Sequence, residues 1–210
     1  MRNMWLLISA TGLLGVALPL NPAQAQAQTQ ASVVMTGTGN AARMDQAGAL
    51  DARVDVSQIG DFNSVNIVQD GNAHSLTASQ QGAGNQGNYQ QSGDGLAQMT
   101  HDVTGSDNGL IALQTADVGG EAMAVVMQDG AGNQAVLEQA TWAGAANDIR
   151  LVQNGNDNLA SLFQAGADNS LALNQAGDHN LAAITQIGTS LAIALEQHGG
   201  GTIVVTQTGP

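Results

Sequence analysis

No cysteine occurs in this sequence. That excludes disulfides, zinc–thiolate sites and thiol nucleophiles. Aromatic residues make up 2% of the chain and charged residues 10%. A thick globular core would draw on more Phe, Tyr and Trp, each of which buries a large area. Basic residues are also scarce, four against 17 acids, for a net charge of −13. Nucleic-acid binding needs clustered Lys and Arg, so that partner class is excluded. The same imbalance favours solubility through self-repulsion. Beyond the first 20 residues there is no long apolar run.

That first run has the form of an export signal. Arg2 supplies the positive start, and Trp5 to Leu20 is apolar. Small residues then follow in "AQAQA", from Ala23 to Ala27, with cleavage fitting after Ala25 or Ala27. Residues 1–27 are therefore expected to be a cleaved secretory signal peptide rather than a membrane anchor, which would need a longer span. Residues 28–34 form an N-terminal segment, and residues 35–210 the body of a secreted protein.

Glycine is plentiful, 27 residues, and it recurs in step. Marking the residue two before each recurrent Gly gives Met35, Gln46, Gln58, Gln69, Gln80, Gln91, Val103, Gln114, Gln128, Gln139, Gln153, Gln164, Gln175, Gln186, Gln197 and Gln207. Most steps are 11 residues, two are 12, two are 14 and the last is 10. The turn glycines are Gly48, Gly60, Gly71, Gly82, Gly93, Gly130, Gly155, Gly166, Gly177, Gly188 and Gly199. After Gln114 and Gln139 the glycine is missing. Six residues before the glutamine stands an asparagine in many units: Asn40, Asn63, Asn85, Asn108, Asn133, Asn147, Asn158, Asn169 and Asn180. His74, Ala52, Ala97, Ala122, Leu191 and Gly201 hold that slot elsewhere.

Six is an even spacing, so Asn, the two middle slots and Gln share one face of a strand. The middle slots are apolar throughout, except Gly87 and His101. That is the period-2 signal of a β-strand, interrupted too often by glycine for a helix. One strand–turn–strand layer cannot bury its own apolar face, but stacked layers can. The fold class expected is all-β: a two-sheet parallel β-solenoid of stacked strand-turn-strand repeats, with seven or eight layers. Stacking places Gln over Gln and Asn over Asn, and side-chain amides in register can form ladders that satisfy their own donors and acceptors. Glycine supplies the positive-φ turn.

The irregular places are few. Two connections, "QTADVGGEA" and "QATWAGAAN", each carry three extra residues. A tolerated bulge is the reading preferred over a binding loop around Trp142. The layer holding Ala97, Met99, His101 and Val103 is the weakest and is expected to fray or to mark a break. The histidines His74, His101, His179 and His198 lack metal-ligand spacing. The turn acids Asp61, Asp70, Asp94, Asp129, Asp157, Asp168 and Asp178 read as solvated rather than as a calcium column. No catalytic set is visible, and no cofactor or metal is expected. Phe163, an outward strand residue, suits either sugar binding or packing between fibres.

The unit Asn-x5-Gln, joined through x-Gly-x-x, resembles the curlin repeat of curli subunits, from Met35 to Gly209 and most clearly from Asn147 to Gln197. The family's strand-opening Ser is largely Asn here, and the repeats are more numerous than is usual. The resemblance implies a structural subunit of extracellular amyloid fibres on the bacterial surface, serving adhesion and biofilm matrix. It implies that the Gln and Asn ladders drive polymerisation. It further implies a related fibre subunit, a secretion pore and chaperones as partners. The residues themselves point the same way: "GTIVVTQTGP" is an uncharged, β-prone end. Two other readings are a minor, nucleating subunit and a monomeric solenoid that binds or cleaves a polysaccharide.

Overall fold

A computed structural model describes residues 5–11, 15–17, 29–46 and 48–210. The candidate cleavage positions Ala25 and Ala27 lie outside the described residues. The chain alternates between two parallel sheets of nine strands each. The odd sheet stacks β1 (Trp5–Thr11), β3 (Gln30–Thr36), β5 (Arg53–Ile59), β7 (Ser75–Ala83), β9 (Leu96–Ser106), β11 (Glu121–Ala131), β13 (Ala146–Asn154), β15 (Ser170–Ala176) and β17 (Ala192–His198). The even sheet stacks β2 (Gly15–Ala17), β4 (Ala41–Asp45), β6 (Ser64–Gly71), β8 (Gln86–Gly93), β10 (Gly109–Ala116), β12 (Gln134–Thr141), β14 (Leu159–Ala167), β16 (Leu181–Thr189) and β18 (Thr202–Thr208). This is the two-sheet parallel β-solenoid that the repeat predicts.

Each strand obeys the even spacing. β15 alternates exposed or half-buried residues with the buried Leu171, Leu173 and Gln175. The inward residues of both sheets meet in one thin core, built largely from Leu, Ile, Val and Ala. Its narrowness explains the shortage of aromatics: two layers of aliphatic side chains fill the space between sheets about 10 Å apart. Register is kept along each stack, with Leu162 beside Ile184 and Gln164 beside Gln186.

The layer expected to be weakest does not break. β9 and β11 are each 11 residues long and pair along their whole length. Ala97, Met99, His101 and Val103 are all buried. Neighbouring side chains repair the fault, as described below.

The two corners of the solenoid are not equivalent. The odd-to-even corner repeats one motif, from Gly60 and Asn63 through Gly82 and Asn85 to Gly177 and Asn180. Every lengthened connection falls at the even-to-odd corner. There the chain runs on through Ala116 and Thr141 before turning at Gly119 and Gly144, both at φ 70°. The two longer turns stack on each other, the Gly144 amide donating to the Val118 carbonyl at 3.2 Å. The bulge reading of these insertions accounts for that geometry, and Trp142 is half exposed at the tip.

Candidate functional site

The candidate site is the set of polar columns that run the length of the solenoid. In the even sheet, Gln46, Gln69, Gln91, Gln114, Gln139, Gln164, Gln186 and Gln207 form one unbroken column. Each Nε2 donates to the Oε1 of the next glutamine at 2.7–3.1 Å. A second bond runs from Nε2 to a backbone carbonyl of the opposite sheet, as from Gln164 to Asp148 at 3.1 Å. Amides buried without partners would each cost on the order of 1–3 kcal/mol. Here every interior amide in the column is both donor and acceptor. The donors all point toward the C-terminal end, so the column has a polarity.

The odd sheet has the same column with one fault. Gln58 donates to Gln80 at 2.9 Å, and Gln128, Gln153, Gln175 and Gln197 continue at 2.8–3.0 Å. Between Gln80 and Gln128 stands Val103, which has no amide. His101 supplies the donor that Gln128 would otherwise lack: its Nε2 bonds to Gln128 Oε1 at 3.0 Å. Its Nδ1 then accepts from the Tyr89 hydroxyl. Tyr89 fits because position 87 is glycine, where a Cβ would overlap the phenol. Gly87, Tyr89, His101 and Val103 are thus one compensated unit. Sequence reading registered Gly87 and His101 as exceptions but did not connect them. Adjacency in the opposing strands, which spacing alone does not reveal, is what joins them.

This unit carries a pH dependence. Burial pulls the His101 imidazole down to about 4 and pushes the Tyr89 phenol up. In the unfolded chain the same histidine titrates near 6.5. The stability gained by keeping it neutral is full above about pH 6.5. It is lost as pH falls toward 4, because the unfolded chain takes the proton first. The loss should approach about 3 kcal/mol, at 1.36 kcal/mol per unit. Denaturant unfolding of the wild type from pH 7 to 4 should show that slope, and His101→Leu should lose it. An equal slope in both would remove His101 as its source.

The asparagines also form a side-chain ladder, Nδ2 donating to Oδ1 from Asn63 to Asn40 at 3.2 Å, Asn85 to Asn63 and Asn108 to Asn85 at 3.1 Å, Asn158 to Asn133 at 2.9 Å and Asn180 to Asn158 at 2.8 Å, and they add bonds to the backbone. In the odd-to-even corner, Asn40 Oδ1 accepts from the Asn63 backbone amide at 2.9 Å, and the pattern repeats to Asn85, Asn108, Asn133, Asn158 and Asn180. The side-chain Nδ2 donates to the glycine carbonyl one layer on: Asn63 to Gly82, Asn85 to Gly105, Asn108 to Gly130 and Asn133 to Gly155. So Gln-x-Gly-x-x-Asn is a corner unit, in which the glycine carbonyl is read by the asparagine of the layer before it. The other corner holds only Asn147 and Asn169 in this role, bonded to Gly166 and Gly188.

The turn glycines stack closely. A Cβ on Gly60, Gly71, Gly82, Gly105 or Gly130 would overlap the carbonyl of the residue stacked upon it. Gly93 meets Ala116, Gly155 meets Gly177 and Gly166 meets Gly188 in the same way. Gly48 faces the Asp70 carboxylate instead, Gly177 and Gly188 pack on Gly199 and Gly209, and Gly199 has no such neighbour. Glycine is needed there for close approach as much as for positive φ.

Toward the ends the columns run out. Gln58 Oε1 is buried without a partner, because Met35 holds the slot before it. Asn180 Oδ1 is likewise unpartnered at the last, shortened connection. In the last layer Ile193, Leu195 and Val205 are only partly covered. Among the described residues no three His, Asp or Glu side chains converge, and His74, His179 and His198 lie in separate layers. Asp61 is held as a carboxylate below its usual range by the Thr38 amide and hydroxyl, which belongs to turn geometry.

The family model of the curlin associated repeat matches residues 144–177 and again residues 166–199. No curated protein and no solved structure matches the chain. The two matches are offset by 22 residues (166 − 144), which is one full turn of this solenoid, from one odd strand to the next. The matched repeat thus recurs once per turn, and residues 144–199 of the chain carry the curlin associated repeat.

Proposed function

We propose that this protein is a structural subunit of an extracellular, curli-type amyloid fibre, and that it grows by adding copies end to end. The observation that carries the reading is the polarity of the even-sheet glutamine column. Gln207 ends it with a donor facing outward, and Gln46 begins it with an acceptor. A second copy placed after β18 continues the column in the same sense, with β4 of the newcomer on β18 and β3 on β17. The free sheet edges favour the same addition, since unpaired edge strands are templates for further strands. Thr202–Thr208 carries no charge to oppose it.

Residues 1–27 serve as the export leader in this reading. Their removal takes away β1 and β2, which pair with β3 and β4, and leaves that end open for the next copy. The fibre forms at the cell surface, for adhesion and biofilm matrix. The resemblance to curli subunits supports a secretion pore, chaperones and a related subunit as partners. The columns of Gln and Asn hold the polymer together, and no catalytic role is assigned.

The test is growth of the purified protein at neutral pH, followed by thioflavin fluorescence and fibre diffraction. A lag removed by seeds is expected, with reflections near ~4.8 and ~10 Å. Deleting residues 201–210 should lengthen the lag several-fold, because it removes the strand that presents Gln207. A monomer that stays clear for days would overturn the fibre reading. Unchanged growth of the truncated chain would overturn the role given to β18.

A further inference from the structure

The outer faces of the two sheets differ in charge. On β9 to β17 the odd sheet presents Asp102, Glu121, Asp129, Asp148, Arg150 and Glu196. On β10 to β18 the even sheet presents a single charge, Glu138. Apart from Gln134, the rest of that face is small, hydroxylated or apolar. Ile111, Val136, Leu159, Phe163, Leu181 and Val204 stand outward on it, with Ile111 55% and Val204 73% exposed. Ile111, Val136, Ser161, Ala183 and Val204 lie in one register row across all five strands. In a chain of net charge −13, this is a place where two copies can approach with little repulsion.

We infer that this face is a lateral interface: the even sheets of two fibres pack against each other, copy against copy. The inference rests on the fibre reading above. The occupant is a second copy because a charged partner would find only Glu138 on this face to pair with. Apolar side chains aligned in rows instead suit the dry face-to-face packing of like sheets. Area explains why the pairing belongs to the fibre and not to the monomer. Five strands at about 4.8 Å and seven residues at about 3.3 Å give roughly 550 Å² per copy. Two such faces bury about 1,100 Å², at or below the lower end of stable interfaces. In a filament the contact recurs with every subunit, so its strength multiplies by repetition. Sheets pair only after they have polymerised.

The experiment is mass per unit length of fibres by dark-field electron microscopy. Wild-type filaments should carry twice the mass of one solenoid, which advances about 38 Å per subunit over eight layers. The variant Val136→Glu/Phe163→Glu/Ala183→Glu should halve that mass while elongating at the wild-type rate from wild-type seeds. The matched set on the odd sheet, Ala172→Glu/Asn174→Glu/Ala194→Glu, should leave filaments paired. Val204→Glu, a single change at the most exposed position, should weaken pairing where the triple variant fails to fold. Wild-type filaments of single mass would overturn the interface and leave the fibre reading standing. So would pairing that survives the even-sheet changes or that the odd-sheet set breaks equally. Absence of any filament would overturn both.

Discussion

Gly105→Ala is expected to be strongly destabilising, whereas Gly144→Ala should cost little. Both glycines have positive φ, 120° and 70°. The difference lies in what a methyl group would meet. At Gly105 it would overlap the carbonyl oxygen of Gly130, which is stacked on it and accepts from Asn108. That atom is backbone inside a parallel ladder, so it cannot swing aside; the layers must part or the corner must refold. A loss of about 4 kcal/mol or more is expected, combining backbone strain with overpacking. At Gly144 the methyl meets nothing within 4 Å. Only the left-handed backbone is penalised, by about 1 kcal/mol. Chemical denaturation of the two variants measures the gap. Equal losses would show that conformational freedom, rather than stacking distance, is why glycine recurs.

Gln164→Leu should cost about 3 kcal/mol despite its conserved volume. Gln164 accepts from Gln139 at 2.9 Å and donates to Gln186 at 2.9 Å and to the Asp148 carbonyl at 3.1 Å. Leucine breaks all three and leaves Gln186 Oε1 buried without a donor, the costly half of a lost hydrogen bond. Gln207→Leu, at the partly exposed end of the same column, loses one bond of 3.1 Å and should cost under about 1 kcal/mol. In fibre growth the order should reverse. In the proposed fibre Gln207 would meet the next copy, so its loss should slow elongation more than its small effect on stability suggests. A drop in stability below about 1 kcal/mol for Gln164→Leu would mean the columns are incidental to the core.

Much of this could be read from residue spacing. An even interval between Asn and Gln, apolar residues in the slots between, and glycine after each run leave little freedom: only strands place those four positions on one face. The core slots Leu171, Leu173, Ile184 and Leu162 were legible for that reason, and so were the two connections with three extra residues. The Asn role was less legible. A ladder of side chain to side chain accounts for the glutamines and runs through the asparagines too, as from Asn85 Nδ2 to Asn63 Oδ1 at 3.1 Å, but the asparagines also bond to the backbone amide of the next layer and to its glycine carbonyl. Nothing in the one-letter pattern shows that an amide read by its twin is also read by a main chain.

The layer of Ala97, Met99, His101 and Val103 separates the two levels further. Along the chain it looks defective, since its glutamine is valine and a core slot is histidine. In the solenoid Tyr89 from the opposite sheet and Gln128 from the next layer close on His101, with Gly87 leaving the room. Those contacts span 12 and 27 residues. Periodicity records what each position shares with its equivalents, and so it determined the strands, the sheets and the repeat by itself. It is silent on what non-equivalent positions do for one another. The tertiary structure decided how the faulty layer is repaired, which corner takes every insertion, and which outer face carries a single charge from β10 to β18. Each of these depends on which strands end up side by side across the core or along the stack, a relation that exists only once the layers are stacked.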